Sequence, residues 1–528
     1  MEKEETPLFE YSEFDVAALC HLASKIRREI ACTCDLNQRP RRGGFNWAVF
    51  VLFEDGVEWV LRSPVQNHPE LSHASAAKLL SSEAATLKYL KIYTDIPVPD
   101  VYSYCAYPDN PLRIPYILMS KAEGKTLETM WGGNDLHNRL DSIEINKVMS
   151  QLGHITWKLA QVRFPQIGSL FEENGSFVIG QCLSRGHIQH KRHSLRGIPR
   201  GPFTKENEFY LSLIAALIKH AAKLPLVHHC FAAPIPSRND YPNTDLWHAA
   251  WDLWSQFVTI GHKIEGAANR VDYTIAADAL THLISQYKGN WHGVTFPSTF
   301  ALCHPDLSTS NIFVDDQYNI TCIIDWAFAT TVPLPLLLLP PGFPRSRHKL
   351  DERFCLGFID GFKDAALNVQ RNPVGLSVPK AIQCVENSEF AWCLTRLLAF
   401  DSTDDLSLFR TMWESVVLSN QKLESYFFSQ RTLPHFRDLH ERIRLDDFSE
   451  VHIQKSKTDL FTKPLTFELS LARHLTMVSD WGFNYDPLKC AGLRDTGQIF
   501  ITDRRLWRWV LEFKKQHGDR VGIEECES

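Results

Sequence analysis

The stretch from Cys303 to Trp326 constrains this chain more than any other. It runs Cys303-His304-Pro305-Asp306-Leu307-Ser308-Thr309-Ser310-Asn311, then Ile312-Phe313-Val314, a turn at Asp315 to Asn319, and Ile320-Thr321-Cys322-Ile323-Ile324 before Asp325-Trp326. Two short β-rich runs around a polar connection predict an antiparallel hairpin over 311–314 and 320–324. In such a hairpin the start of the first strand lies beside the end of the second. Asn311 and Asp325 therefore converge, with Asp306 on the loop just upstream. Two carboxylates and an amide oxygen at one end of a hairpin are hard ligands. They suit Mg²⁺, an ion commonly held by one or two protein groups together with substrate phosphates.

Composition narrows what surrounds this hairpin. At 44% hydrophobic and 22% charged residues the chain is of globular type rather than collagen-like, coiled-coil or disordered. A net charge of −6 argues against a phosphate-seeking surface, so no nucleic-acid partner is expected. The 13 cysteines have no paired C-x-x-C spacing and read as reduced thiols. Met1 to Phe9 is acidic and carries no apolar run, so no secretory signal is expected. The greasy stretch Val332 to Phe343 is broken by four prolines and too short to span a bilayer. A cytoplasmic protein without an integral membrane segment is the expectation; the oligomeric state stays open.

His-x-Asp-x-x-x-x-Asn followed by Ile-Asp-Trp resembles the aminoglycoside and choline kinase-like phosphotransferases, a branch of the protein-kinase-like fold, and among them most closely the large fungal branch. The resemblance implies an α+β, two-lobed protein-kinase-like fold, with a small β-rich N-terminal lobe and a large, mainly helical C-terminal lobe carrying insertions. It implies Asp306 as the catalytic base toward an acceptor hydroxyl, Asn311 and Asp325 as metal ligands for Mg²⁺, and His304 as a support of the loop. ATP would be the phosphoryl donor. The acceptor would be a small molecule, with amine-bearing ones among the candidates.

The N-terminal region supplies what such a fold needs. Ala48 to Phe53 and Val57 to Arg62 flank Glu54-Asp55-Gly56 as a hairpin, and Ser72 to Tyr93 has helical spacing of Leu79, Leu80, Ala84, Leu87 and Leu90. Extended runs at Val101 to Tyr107 and Tyr116 to Met119 follow. Gly43-Gly44-Phe45-Asn46 opens the hairpin, where glycines let the backbone approach phosphate oxygens. Arg62 ends its strand at the place where protein kinases carry Lys and where choline kinase-like members resemble this chain in using Arg. Glu83 lies on the inward stripe of its helix and needs a partner, for which Arg62 is the natural candidate. The resemblance also makes 117–124 the connection between lobes, with backbone groups near Ser120 and Ala122 reading the adenine edge. Gly124-Lys125-Thr126 is not a phosphate loop, because Met119 stands where that motif needs glycine.

For 528 residues a prior of roughly 150 per domain suggests three or four units. The motifs reduce this to one enlarged enzyme: an extension over 1–42, a nucleotide-binding lobe over 43–122, and a catalytic lobe over 123–450 with an insertion at about 169–297. A helical tail over 451–528 completes it. The family often has an acid after the Asp-Trp pair, where this chain has Ala327. With Arg62 and a divergent glycine turn, that departure also describes a nucleotide-binding pseudokinase acting in regulation or interaction. The retained Asp306, Asn311 and Asp325 favour catalysis.

Other features read more blandly. Trp247, Trp251 and Trp254 form a helical stripe that suits a core better than a cage for a cationic amine. His228-His229-Cys230 lacks spaced metal-ligating partners. The basic residues Arg185, Lys191, Arg192, Arg196 and Arg200 would contact an anionic substrate or ATP, line a solvated loop, or donate an ion pair between lobes. The basic amphipathic run Thr502 to His517 reads as a docked terminal helix, with a membrane surface or a partner as alternatives.

Overall fold

Period-2 alternation builds the N-terminal sheet. In the computed structural model, which describes residues 14–35, 37–38, 41–68, 70–131, 142–224, 230–231, 244, 267–290, 299–343, 352–367, 378–386, 388–400, 405–417, 422–446 and 476–477, Trp47, Val49, Val51 and Phe53 of β3 (Asn46–Phe53) point to one buried face. Trp59 and Leu61 of β4 (Glu58–Pro64) join them. The sheet has six strands in the order β1 (Cys32–Thr33), β3, β4, β6 (Tyr116–Ser120), β5 (Val101–Cys105), and β2 (Arg41–Arg42) pairs with β3 from the turn side. Helix α1 (Val16–Ile26), capped by Asp15 accepting from the Ala18 amide at 2.8 Å, covers the apolar face through Leu19 and Ala23. Arg62 falls between Leu61 and Ser63 in the alternation and so leaves on the opposite face, toward α2 (His73–Tyr93).

Helix α2 buries a broad surface, from Leu79 and Leu80 through the small Ala84 and Ala85 to Leu87 and Leu90. Ser72 caps it by accepting from the Ser75 amide at 3.2 Å. The chain then leaves β6 through residues 121–124 into β7 (Lys125–Thr126), which runs beside β13 (Ile312–Val314) and leads into the short helix α3 (Leu127–Trp131). A Cβ at Gly124 would stand 2.2 Å from the Val314 carbonyl oxygen, and Gly124 has φ +86°. Both close approach and backbone conformation thus require glycine there.

The predicted hairpin is present. β13 pairs antiparallel with β14 (Ile320–Ile323), Ile312 opposite Ile323 and Phe313 opposite Cys322, with a register shift before Val314. A second small sheet sets β12 (Phe300–Cys303) between β8 (Arg163–Phe164) and β15 (Thr330–Val332), and β9 (Leu170–Glu173) pairs with β10 (Ser176–Ile179). Helix α4 (Ser142–Gln161) packs backbone to backbone against the helix Glu352–Leu367. A Cβ on Gly153 would lie 2.2 Å from the Phe358 carbonyl oxygen, and one on Gly361 would lie 1.9 Å from that of Ser150.

All of these elements belong to one compact unit, Met1–Leu213 with Gly293–Thr395; a second unit comprises Ile214–His292 and Arg396–Ser528. In the second, the helix Ala267–Asn290 packs with Asp405–Val416, Leu423–Arg431 and Pro434–Ile443. Arg431 closes a bidentate pair on Asp272 at 2.7 and 2.8 Å, and β11 (Cys230–Phe231) pairs with β16 (Thr476–Met477). No helix among the described residues is long and apolar enough to cross a membrane. The tryptophan stripe Trp247, Trp251 and Trp254, the His228-His229 pair and the helix expected over 502–517 lie outside the described residues.

Candidate active site

His304 organises the loop between β12 and β13. The Asp306 amide donates to His304 Nδ1 at 3.0 Å, so Nδ1 is the bare nitrogen. Nε2 therefore carries the proton and donates to the Ile324 carbonyl at 2.9 Å. Burial pushes this imidazole below its ordinary pKa and keeps it neutral. One ring thus ties the backbone at Asp306 to the residue preceding Asp325. Trp326 packs edge-on against it, centroids 4.6 Å apart, and donates from Nε1 to the Ile323 carbonyl at 3.1 Å.

Asn311 closes the loop from the other side. Its Nδ2 donates to the Asp306 carbonyl at 3.0 Å, and its own carbonyl accepts from the Ile324 amide at 2.9 Å. Because Nδ2 is committed to that bond, the orientation of the amide is fixed and Oδ1 is the atom turned to other partners. The chain then takes a left-handed turn at Asp325, φ +65°, a conformation that Asp tolerates better than bulkier residues. The carboxylate Oδ1 receives the Arg62 guanidinium at 2.6 Å.

The ion pair expected between β4 and α2 is formed, Arg62 Nη1 donating to Glu83 Oε1. Arg62 is thereby shared by two acids of different exposure: Glu83 is 4% exposed and Asp325 40%. Burial works against charge on Glu83 and pushes its carboxyl up to about 7, while Arg62 pulls it down. Flanked by both acids, Arg62 holds its proton more tightly than an isolated guanidinium, against the effect of its own burial.

The turn Gly43-Gly44-Phe45-Asn46 bridges β2 and β3. The Gly43 amide donates to the Asn46 carbonyl at 2.8 Å, and His68 Nε2 lies 3.0 Å from the Gly44 carbonyl. A Cβ on Gly44 would meet nothing within 4 Å, so the backbone here is open to approach. Phe45 reaches across to Phe328, ring centroids 5.4 Å apart, which joins the turn to the segment after Asp325. Ser120 ends β6 and is engaged with Asp100, accepting at Oγ from the Asp100 amide at 2.9 Å. Ala122 follows in the connection to β7.

The structure thus brings together Asp306, Asn311, Asp325, Arg62 and Glu83, and sets the glycine turn near Asp325 through Phe45. Ser120, at the end of β6, and Ala122, on the connection, are not among the carboxylates. Among the described residues no three His, Cys, Asp or Glu side chains gather as a metal-binding group. The oxygens of Asn311 and Asp325 nevertheless fit Mg²⁺ of the kind completed by substrate phosphates. Of the basic residues Arg185 to Arg200, Arg185 reaches the site, on a partner that the sequence does not assign: its Nη2 donates to Asp306 Oδ2 at 2.8 Å. Its basic neighbours Arg192 and Arg200 are structural. Arg192 is fully buried with Nη1 on the Gly186 carbonyl, and Arg200 donates to the Arg192 and Leu195 carbonyls.

A model of the phosphotransferase enzyme family, APH, matches residues 37–334, more than half of the chain and all of the residues just described. The chain belongs to the phosphotransferase enzyme family. Among curated relatives of this family member, a subtelomeric hrmA-associated cluster protein of Aspergillus fumigatus is 26% identical over 326 residues, covering 58% of this chain and 59% of that protein. The alignment thus spans under two thirds of the relative's length. Altered inheritance of mitochondria protein 9, mitochondrial, of Lachancea thermotolerans is 34% identical over 116 residues, 21% of this chain and 18% of that one. Among solved structures, choline kinase from Cryptosporidium parvum superposes with a TM-score of 0.33 at 12% identity, covering 80% of this chain and 99% of that one. Family membership rests on the sequence match rather than on the superposition.

Proposed function

We propose that this chain is an ATP- and Mg²⁺-dependent phosphotransferase that moves the γ-phosphoryl group to a hydroxyl of a small molecule, amine-bearing alcohols being among the acceptors to try. The observation that carries the reading is the convergence of Asp306, Asn311 and Asp325 at the end of one hairpin, tied by His304 and by the Asn311 amide, with Arg62 and Glu83 paired beside them.

Asp306 acts as the base that takes the proton of the acceptor hydroxyl. Asn311 Oδ1 and the Asp325 carboxylate would hold Mg²⁺, which when bound neutralises phosphate charge and orients the transferred group. Arg62 is the cation toward the ATP phosphates. Glu83, the more buried of its two acids, retains it when Asp325 turns to the metal. The turn Gly43 to Asn46, open to close approach at Gly44, would lie over the phosphates, and backbone groups near Ser120 and Ala122 would receive the adenine edge. Phosphoryl transfer asks a protein mainly for positioning and electrostatic stabilisation, and five side chains in a hydrogen-bonded frame supply both.

The test is nucleotide binding with and without the metal. At 100 times its dissociation constant, Mg-ATP should stabilise the wild-type chain by about 2.7 kcal/mol. Asp325→Ala should abolish the magnesium-dependent part of that effect, and an unchanged stabilisation would remove Asp325 from the metal site. Slow magnesium-dependent ATP hydrolysis by the wild type separates an enzyme from a nucleotide-binding pseudokinase.

A further inference from the structure

The segment that carries Arg185 is tied to its surroundings at several points. Leu183 and Ile188 are buried against Leu79, Ala327 and Phe328. The buried Ser169 hydroxyl accepts from the Leu183 amide and donates to the Ala329 carbonyl, both at 3.0 Å, which links this segment to the chain just after Asp325. His187, fully buried, lies between the hydroxyls of Ser184 at 2.8 Å and Ser212 at 2.9 Å. Below it, Arg192 and Arg200 fasten the backbone from Gly186 to Leu195.

Most exposed ion pairs contribute little, because ordering two long side chains consumes what the attraction supplies. The Arg185–Asp306 pair differs on both counts. Its side chains are only 21% and 24% exposed, and the backbone on each side is already fixed, by Ser169 and the apolar contacts at one end and by His304 and Asn311 at the other. Charge-assisted hydrogen bonds are the stronger and more directional kind.

We infer that Arg185 is a positioning residue for Asp306, a guanidinium delivered from outside the 304–311 loop that fixes the orientation of the carboxylate. The inference rests on the reading of Asp306 as the base. Its consequence is that part of the catalytic geometry is set by a segment 121 positions away in sequence. A misplaced catalytic group of this kind costs about 10²-fold in rate.

The experiment is a double-mutant cycle on the full chain, with Arg185→Gln, Asp306→Asn and their combination, read by magnesium-dependent turnover of ATP with water or an alcohol as acceptor. Arg185→Gln should lower kcat by about 10²-fold and leave the KM for ATP within about twofold. Arg185→Lys should restore part of the rate. In the Asp306→Asn background Arg185→Gln should have almost no further effect, because the group it orients is gone. An equal loss in both backgrounds would overturn the inference, since Arg185 would then act on phosphate, acceptor or fold directly. So would a raised KM with unchanged kcat. If the wild type shows no turnover, the reading of the site fails instead, and thermal unfolding of the same four proteins decides the pair. Shifts in Tm that fail to add support it, and shifts that add sink it.

Discussion

His187 gives the platform under Arg185 a pH dependence that can be worked out in advance. The ring is fully buried between two hydroxyls, and burial first, then Arg200 and Arg192, push it from its ordinary 6.5 down to about 3. A base depressed in the fold costs nothing where it is neutral in both states, above pH 6.5. Stability falls as pH drops from there toward 3, because the unfolded chain takes up a proton that the folded chain refuses. Between pH 8 and pH 5 the unfolded state gains the advantage of about 1.5 pH units of protonation, or about 2 kcal/mol. His187→Gln keeps an amide that can both donate and accept but removes the titration. Urea unfolding of both proteins at pH 8 and pH 5 provides the comparison. The wild type should lose about 2 kcal/mol more than the variant over that interval. Equal losses in the two proteins would show that His187 does not set this pH dependence, whatever the absolute stability of the variant.

Three further outcomes follow from the same geometry. Glu83→Gln removes the buried acid that retains Arg62 and leaves Asp325 as the sole carboxylate of the triad. Loss of a hydrogen bond to a charged group, about 1.5–3 kcal/mol, should weaken Mg-ATP binding by about 10- to 100-fold in calorimetric titration, and affinity within twofold of wild type would contradict the role given to the pair. Gly361→Ala drives a methyl to 1.9 Å from the Ser150 carbonyl oxygen and forces α4 and its partner helix apart, which should cost about 1–3 kcal/mol or more by thermal unfolding; an unshifted Tm would contradict the close contact. His304→Phe keeps the ring against Trp326 but strips the acceptor from the Asp306 amide and the donor from the Ile324 carbonyl, so a loss of about 2 kcal/mol or more is expected together with a fall in turnover.

The hairpin was legible because its two strands carry their signal within a dozen residues, as β-rich runs on either side of a turn. Arg62 and Glu83 were legible for a related reason: strand alternation sends Arg62 to the face opposite Leu61, and helical spacing turns Glu83 inward with Leu79 and Leu87. The short strands β7, β8, β12 and β15, two to four residues each, are below the length at which periodicity separates strand from loop. Arg185 stood out in sequence only as one of several basic residues. What distinguishes it is the burial of Arg192 and His187 around it, which follows from tertiary packing and leaves no local pattern. The interleaving of the two compact units, each drawn from two stretches of chain, is likewise a long-range property.

The role of Asp306 as the base in phosphoryl transfer is tested most directly by the transfer of labelled γ-phosphate from Mg-ATP to a panel of choline-like amines, aminoglycosides, sugars and small alcohols, run with the wild-type chain and with Asp306→Asn. The wild type should transfer phosphate to at least one hydroxyl, and the variant should fall by about 10²-fold or more with ATP binding nearly intact. Equal transfer by the two proteins would contradict that role.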